Sequence, residues 1–476
     1  MKSNRREFLK KPLYEGLVPG VPGSCAGMTQ RCDSGTKGKK AFAASAVKRT
    51  GKGKTVILCI FCWMIGLCSC SRPAVTAVGI EGELYAKNTV KAVFQAAADV
   101  ECTFAWYASE RPDGNWRLLQ GIHTPEIVLL TSYAGQYLKC EITASRQGKI
   151  FPAVKIVGKT PVTDRGNPNT DWFRDAGLGL MIHFLKIVYT DGGSAAWNEI
   201  VDRFDAELFA VQCRDAGVRY VLWALGQNDG YYNSPNGAYD RIVGVQPGDL
   251  CSRRDLPADL ISALKPHGIR LMLYLPGNPP ISNKAVTEKF RYTYGKDSPT
   301  SQYTQTRWES VIREWSLRYG KDLCGWWFDG MYRGGIIETR ADMSLEHNIS
   351  THTLAAKAGN PQSIVTYNYG VNAIQSNSPY DDYSAGEENH LTQLPEGRWI
   401  APGIQWFHFT YMGKWWGSAG TRYSTDELTA WAERVFEKEG VACFDVHAYA
   451  DGHIDIPQLE QLKAISEIHE KVRKKQ

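Results

Sequence analysis

From about residue 165 onward, short apolar runs and amphipathic stretches take turns for roughly 310 residues, and this alternation restricts the possible folds more than any other feature of the chain. The runs GLGLMIHF, YVLWAL, RLMLYL, GWWFD, SIVTYNY, QWFHFTYM and VACFDV lack the every-second-residue polarity of a half-exposed strand. Unbroken apolarity over so few residues fits parallel strands covered on both faces. Between them lie DAELFAVQCRDAG, DLPADLISALKPHG, WESVIREWSLRYG and STDELTAWAERVFEKEG, which have helical periodicity. The last opens with a Ser424 to Glu427 capping box. Residues 165–476 are therefore expected to form a (β/α)8 TIM-like barrel. A doubly wound open sheet is the alternative, but no GxGxxG follows the first strand and no phosphate loop occurs.

In a barrel of this kind, polar residues at the C-terminal ends of the strands face the site. In DLCGWWFDGMY the apolar run Trp326, Trp327, Phe328 stops at Asp329, followed at once by Gly330. His183 ends another strand, Asn228 and Asp229 follow YVLWALGQ, Asn368 ends SIVTYN, and Glu387 and Glu388 lie in DYSAGEENH. A carboxylate between Trp327 and Gly330 at a strand end can be held rigid, partly desolvated and close to a sugar ring, as a glycosidase nucleophile requires. On spacing alone, an Asp capping the following loop is the other reading. The 15 Trp suit a carbohydrate-handling surface as well as core packing.

The formal charge of +5 is a local matter. Residues 1–70 hold 13 Lys+Arg against 3 Asp+Glu, leaving 42 against 47 for residues 71–476, so the body is mildly acidic and offers no surface for nucleic acid. Lys48, Arg49, Lys52 and Lys54 precede the apolar run TVILCIFCWMIGL, which ends at LCSCS. That order reads as a bacterial lipoprotein signal over residues 47–70, with Cys70 lipidated. The expected location is that of an exported lipoprotein, periplasmic or outer-membrane anchored, touching the membrane through its lipid. Residues 1–46, rich in Gly, Pro and Lys and without periodicity, read as a doubtful or disordered leader. Residues 75–158 break into short alternating strands separated by turn signals such as RPDGN, the pattern of a small immunoglobulin-like β-sandwich with Trp106 in its core. It reads as a spacer or a weak glycan binder. Six widely scattered Cys follow the signal, without a CxxC pair for zinc, and Cys102 with Cys140 is the one disulfide to consider.

Several of these motifs together resemble the α-L-fucosidases of glycoside hydrolase family 29. The likeness covers roughly residues 171–470: DWFRDAGLGLMIHF, FDAELFAVQCRDAGVRYVLWA, NDGYYN, RRDLPADLISALKPHGIRLMLY, GWWFDG and VACFDVHAYADGHIDIPQLEQL. It implies that Asp329 is the nucleophile and that His183 contacts the sugar. Glu387, or Glu388 beside it, is the expected acid/base, and Trp197, Gln227, Asn228, Trp327 and Asn368 are further candidates for sugar binding. The implied activity is retaining hydrolysis of a terminal fucose-like sugar on an oligosaccharide or polysaccharide. It would use no metal or cofactor, its two carboxyls would lie about 5 to 5.5 Å apart, and the Glu would be raised toward roughly 6. Two departures point to altered recognition. Gln227 and Asn228 stand where the family shows two adjacent His, and HFLK stands where it shows His-Trp-Gly. A glycosidase of other sugar specificity and an inactive glycan-binding barrel are the competing expectations.

Overall fold

The computed structural model describes residues 74–292, 301–331, 340–372 and 374–476. Residues 1–73, with the stretches read as a leader and a lipoprotein signal and with Cys70, lie outside the described residues. From Ala74 the chain forms one compact unit. No helix among the described residues is long and apolar enough to cross a membrane.

Eight strands come first: β1 (Val75–Glu81), β2 (Thr89–Ala96), β3 (Glu101–Ser109), β4 (Arg117–Leu119), β5 (Glu126–Val128), β6 (Tyr137–Arg146), β7 (Lys149–Ile150) and β8 (Val154–Val157). They make two antiparallel sheets, β1-β2-β5 and β4-β3-β6-β7, with β8 on β6. Trp106, Ile127, Leu138, Cys140 and Ile142 fill the space between. The element is thus a two-sheet sandwich, but the disulfide considered for it is not formed: Cys102 and Cys140 are both free. Cys102 faces Ala144 and Cys140 faces Trp106 across β3 and β6, four residues out of register. At about 3.4 Å per residue that offset exceeds the reach of a disulfide. An immunoglobulin-like Trp packed on an inter-sheet disulfide is therefore not found among the described residues.

The later strands are β9 (Leu178–Ile182), β10 (Tyr220–Ala224), β11 (Arg270–Pro276), β12 (Leu323–Asp329), β13 (Ile364–Tyr367), the short β14 (Trp399–Ala401) and β15 (Ile404–Gln405), then β16 (Phe407–Tyr411) and β17 (Val441–Val446). Seven of them form one curled parallel sheet in the order β13-β12-β11-β10-β9-β17-β16. Their side chains are buried almost throughout, as the unbroken apolar runs require. Helices such as 206–215, 256–264, 302–319 and 425–436 lie between consecutive strands. The last carries the anticipated capping box: Glu427 N donates to Ser424 Oγ at 3.2 Å, and Ser424 N to Glu427 Oε2 at 2.8 Å.

The sheet departs from the expected eight regular strands between β13 and β16, where residues 381–388 run without regular strand structure. Toward β16 the pairing is by backbone: Ser384 N donates to Gln405 O at 3.0 Å, Phe409 N to Gly386 O at 2.8 Å and Glu388 N to Phe409 O at 3.0 Å. Toward β13 the backbone contributes only Asp382 N to Val365 O, at 2.8 Å. Two carboxylates supply the rest. Asp381 Oδ1 accepts from Tyr367 N at 3.1 Å, and Asp382 Oδ2 from Val365 N at 3.0 Å. The edges of the curled seven-stranded sheet are in this way linked by a segment whose side chains stand in for a missing ladder, an arrangement consistent with a TIM-like barrel.

Candidate active site

The strand ends converge on two carboxylates. Asp329 closes β12, and Gly330 follows in left-handed backbone (φ 71°). That turn brings the Gly330 N–H back onto Asp329 Oδ1 at 2.7 Å, a conformation any residue with a Cβ would resist. Asn368 Nδ2 donates to the same oxygen at 3.1 Å, and the Tyr274 hydroxyl to Oδ2 at 2.6 Å. Tyr274 on β11 lies flat on Trp327, ring centroids 5.2 Å apart at 14°. Its hydroxyl accepts in turn from Gln227 Nε2. Three donors therefore fix the nucleophile candidate in one orientation.

Asn368, fully buried just beyond β13, also donates from Nδ2 to Glu387 Oε2 at 2.6 Å. The two N–H directions of a planar amide diverge by about 120°, so these bond lengths set the two carboxylate oxygens about 5 Å apart. Glu387 is delivered by Gly386, whose left-handed backbone (φ 64°) passes so close to the Phe407 carbonyl that a Cβ at 386 would collide with it. Burial, and after it the negative charge of Asp329, push the Glu387 carboxyl up to about 8, against the Asn368 bond, which favours the ionised form. This exceeds the sequence expectation of roughly 6, because burial and the Asp329 charge act on the same carboxyl.

The raised carboxyl has a consequence for stability. An acid whose folded value lies above its unfolded one stabilises the fold fully below the unfolded value, and that contribution is lost as pH rises toward the folded value. Glu387→Gln removes the titration. The variant should match the unaltered protein near pH 4.5 and melt higher by about 2 °C or more at pH 8, as followed by calorimetry. Equal melting temperatures at pH 8 would contradict the burial assigned to this carboxyl.

His183 at the end of β9 meets Asp445 of β17, Nδ1 to Oδ1 at 2.7 Å. The other oxygen of Asp445 accepts from Gly417 N. One buried carboxylate thus ties the His183 ring to the turn that carries Trp416, whose ring packs 5.7 Å from His183. Tyr274 closes the other side of the imidazole at 5.5 Å.

Several sequence candidates fall elsewhere. Glu388 points away from the pair: its carboxylate accepts from Gln393 N and Thr392 and meets His408 Nε2 at 2.8 Å. Burial there opposes ionisation, yet these partners together hold Glu388 below its ordinary value. Trp197 is not at the cleft. It is 1% exposed, gives its indole N–H to Tyr232 O at 3.0 Å and packs on Phe184 inside the core. Trp327, also 1% exposed, lies beneath Tyr274 with its N–H on Ala385 O, so it supports the floor of the cleft and does not line it. Gln227 uses both ends of its amide within the protein, Nε2 on Tyr274 and Oε1 on Asn228 N at 3.0 Å. Asn228 and His183 remain half-buried beside the cleft. Tyr274, Asp445 and Trp416 were not singled out in the sequence. Asp445 carried the same signal as Asp329, a carboxylate near the end of an apolar strand.

The family model for α-L-fucosidase matches residues 194–471, more than half the chain and the stretch that carries both carboxylates. The chain belongs to the α-L-fucosidase family. Membership supports a glycosidase acting on a carbohydrate. Similar solved structures include the endo-fucoidan hydrolase P5AFcnA of glycoside hydrolase family 107, at 13% identity over 63% of this chain and 92% of that one, TM-score 0.49. The related endo-fucoidan hydrolase MfFcnA4 matches at 16% identity over 63% of this chain and 53% of its own, about half its length, TM-score 0.47. A family 29 α-L-fucosidase from Bacteroides thetaiotaomicron matches at 15% identity over 64% of this chain and 74% of that one, TM-score 0.45. No curated protein matches.

Proposed function

We propose that this member of the α-L-fucosidase family is a retaining exo-glycosidase that removes a terminal, fucose-like sugar from an oligosaccharide or polysaccharide, with Asp329 as nucleophile and Glu387 as acid/base. The observation that carries the reading is the Asn368 amide shared between the two carboxylates. The spacing this implies between the two bonded oxygens, about 5 Å, is nearer the roughly 5–5.5 Å of retaining enzymes than the roughly 6.5–9.5 Å of inverting ones. Asp329 attacks the anomeric carbon as Glu387 gives its proton to the departing oxygen. Once Asp329 is esterified its charge is gone, and the second of the two influences that raise Glu387 disappears with it. Glu387 is then the better base. It takes a proton from a water that attacks the same carbon and frees Asp329.

A second reading, a sugar other than fucose, is favoured by one observation. The family's two adjacent His are here Gln227 and Asn228, and the Gln227 amide is committed to Tyr274 and Asn228. One N–H and one lone pair of that amide are thus taken, so it offers ring hydroxyls a different and narrower set of partners than two imidazoles, and a hydroxyl buried without a partner costs about 1–3 kcal/mol. Proton NMR of 4-nitrophenyl α-L-fucoside hydrolysis separates the readings. The proposal expects the α-anomer of the free sugar to form first and to mutarotate later. An initial β-anomer would sink the retaining mechanism, and inert fucoside alongside hydrolysis of another aryl glycoside would establish the second reading.

A further inference from the structure

A lysine of the sandwich reaches into the barrel wall at the start of the segment that carries Glu387. Lys87, in the turn between β1 and β2, is 1% exposed and holds left-handed backbone (φ 74°), a conformation that disfavours any residue with a Cβ. Its carbonyl accepts from Asn169 Nδ2 at 3.0 Å. Its ammonium leaves the sandwich and donates to Pro379 O at 2.8 Å and Asp381 O at 2.7 Å. The Asp381 carbonyl opens the run 381–388 that bridges the barrel, with Glu387 six residues further on, and Pro379 lies two residues ahead of it.

That run is held in an unusual way. A strand inside a regular barrel is positioned by a backbone ladder on each edge. Residues 381–388 have one on the β16 side, whereas toward β13 the Asp381 and Asp382 carboxylates take over. Side chains with free torsions fix a path less tightly than a ladder does, so the path must be pinned by other contacts. On Asp382 the pins are Lys357 Nζ at 2.8 Å and Asn167 Nδ2 at 2.9 Å. At the Asp381 end, Asn377 N at 2.7 Å and Ser378 N at 3.0 Å hold the carboxylate, and Lys87 holds the main chain through its carbonyl. Burying the ammonium is costly, and besides its two carbonyl partners the nearby Asp382 and Asp381 carboxylates offset that cost only in part.

We propose that Lys87 is a positioning residue for the reaction: from the sandwich it sets the path of residues 379–387, and with it the placement of Glu387 against Asn368 and Asp329. The inference rests on the reading of Glu387 as the proton donor. It makes the sandwich part of the frame of the active site and not a spacer. A lysine that merely glues the two elements together would affect all substrates alike. A positioning lysine affects those that need a well-placed acid, since a misplacement of about 1 Å can cost on the order of a hundredfold in rate.

The experiment uses the full chain with 2,4-dinitrophenyl and phenyl α-L-fucosides, leaving groups that need little and much protonation respectively, below the melting temperature of every variant. For Lys87→Met, kcat/KM on the phenyl fucoside is expected to fall about 10- to 100-fold and on the dinitrophenyl fucoside less than about threefold, within the span of general acid catalysis. Lys87→Arg, which keeps the charge and reach, should restore most of the phenyl activity. Lys87→Gln, which can still donate to one carbonyl, decides the matter if the Met variant does not fold, with a smaller change in the same ratio. An unchanged ratio of the two substrates in a folded variant, whether activity is kept or lost equally on both, overturns the inference. If Glu387→Gly itself leaves that ratio unchanged, it is the reading of Glu387 that fails, whatever Lys87 does.

Discussion

Asp329→Gly is expected to lower kcat/KM for aryl glycosides by at least three orders of magnitude while leaving the fold intact, and added azide is expected to restore turnover as a glycosyl azide of inverted configuration. The size of the loss follows from what the residue does. The carboxylate that shares the Asn368 amide with Asp329 is Glu387, which serves proton transfer in this reading and so does not take over the attack. The rescue follows from geometry. Removing the side chain opens a space bordered by the Gly330 N–H, the Asn368 amide and the Tyr274 hydroxyl, three donors that had satisfied a negative charge. A small anion fits that space and attacks along the path the carboxylate would have taken. Glu387 can still protonate the leaving oxygen. A variant that keeps most of its activity, or an azide product of retained configuration, would remove Asp329 from the nucleophile role.

The part of this site legible in the sequence is the part carried by regular strands. Asp329 stood out because Trp326, Trp327 and Phe328 announce a buried strand and the apolar run stops at a carboxylate. The same reasoning applied to VACFDV would have found Asp445, which the fold uses to lock His183. The segment 381–388 resisted because its hydrogen bonds toward β13 are made largely by the side chains of Asp381 and Asp382, so it has neither the apolarity nor the length of a strand. Choosing between Glu387 and Glu388 needed that segment's path: adjacent residues point to opposite sides, one toward Asn368 and the other toward His408. Trp197 and Trp327 misled for a different reason. A tryptophan has the same letter whether it stacks on a sugar or fills a core, and only the burial of its ring decides. Gln227 shows a further limit. Its position beside the cleft was readable, but the amide's commitment to Tyr274 was not, because it depends on the side-chain conformation of a residue 47 positions away. Installing the family's histidine there would therefore remove the group that holds the Tyr274 hydroxyl, besides adding one for a sugar.

Glu387→Gly should separate the two chemical steps. With a phenyl leaving group, which departs only when protonated, kcat/KM is expected to fall by about two to four orders of magnitude, the usual worth of a positioned acid. With a dinitrophenyl leaving group, which departs unaided, formation of the glycosyl-enzyme should proceed at close to the ordinary rate, and kcat should fall because no base then activates the water. Azide needs no base. It should raise kcat on the dinitrophenyl substrate and give a glycosyl azide of retained configuration, the mirror of the Asp329→Gly product, since it now displaces Asp329 from the opposite face. The pH profile supplies an independent sign. In the unaltered enzyme Glu387 must be protonated to act as acid, so kcat/KM on the phenyl substrate should hold below pH 8 and decline above it, as the carboxyl that burial and Asp329 raise to about 8 ionises. The glycine variant has no such carboxyl, and its basic limb should vanish. If the limb persists, or if both leaving groups lose activity equally, the proton donor is another residue. Glu388, bound to His408 and Thr392 and held in its ionised form, could not take the role without first giving up those partners.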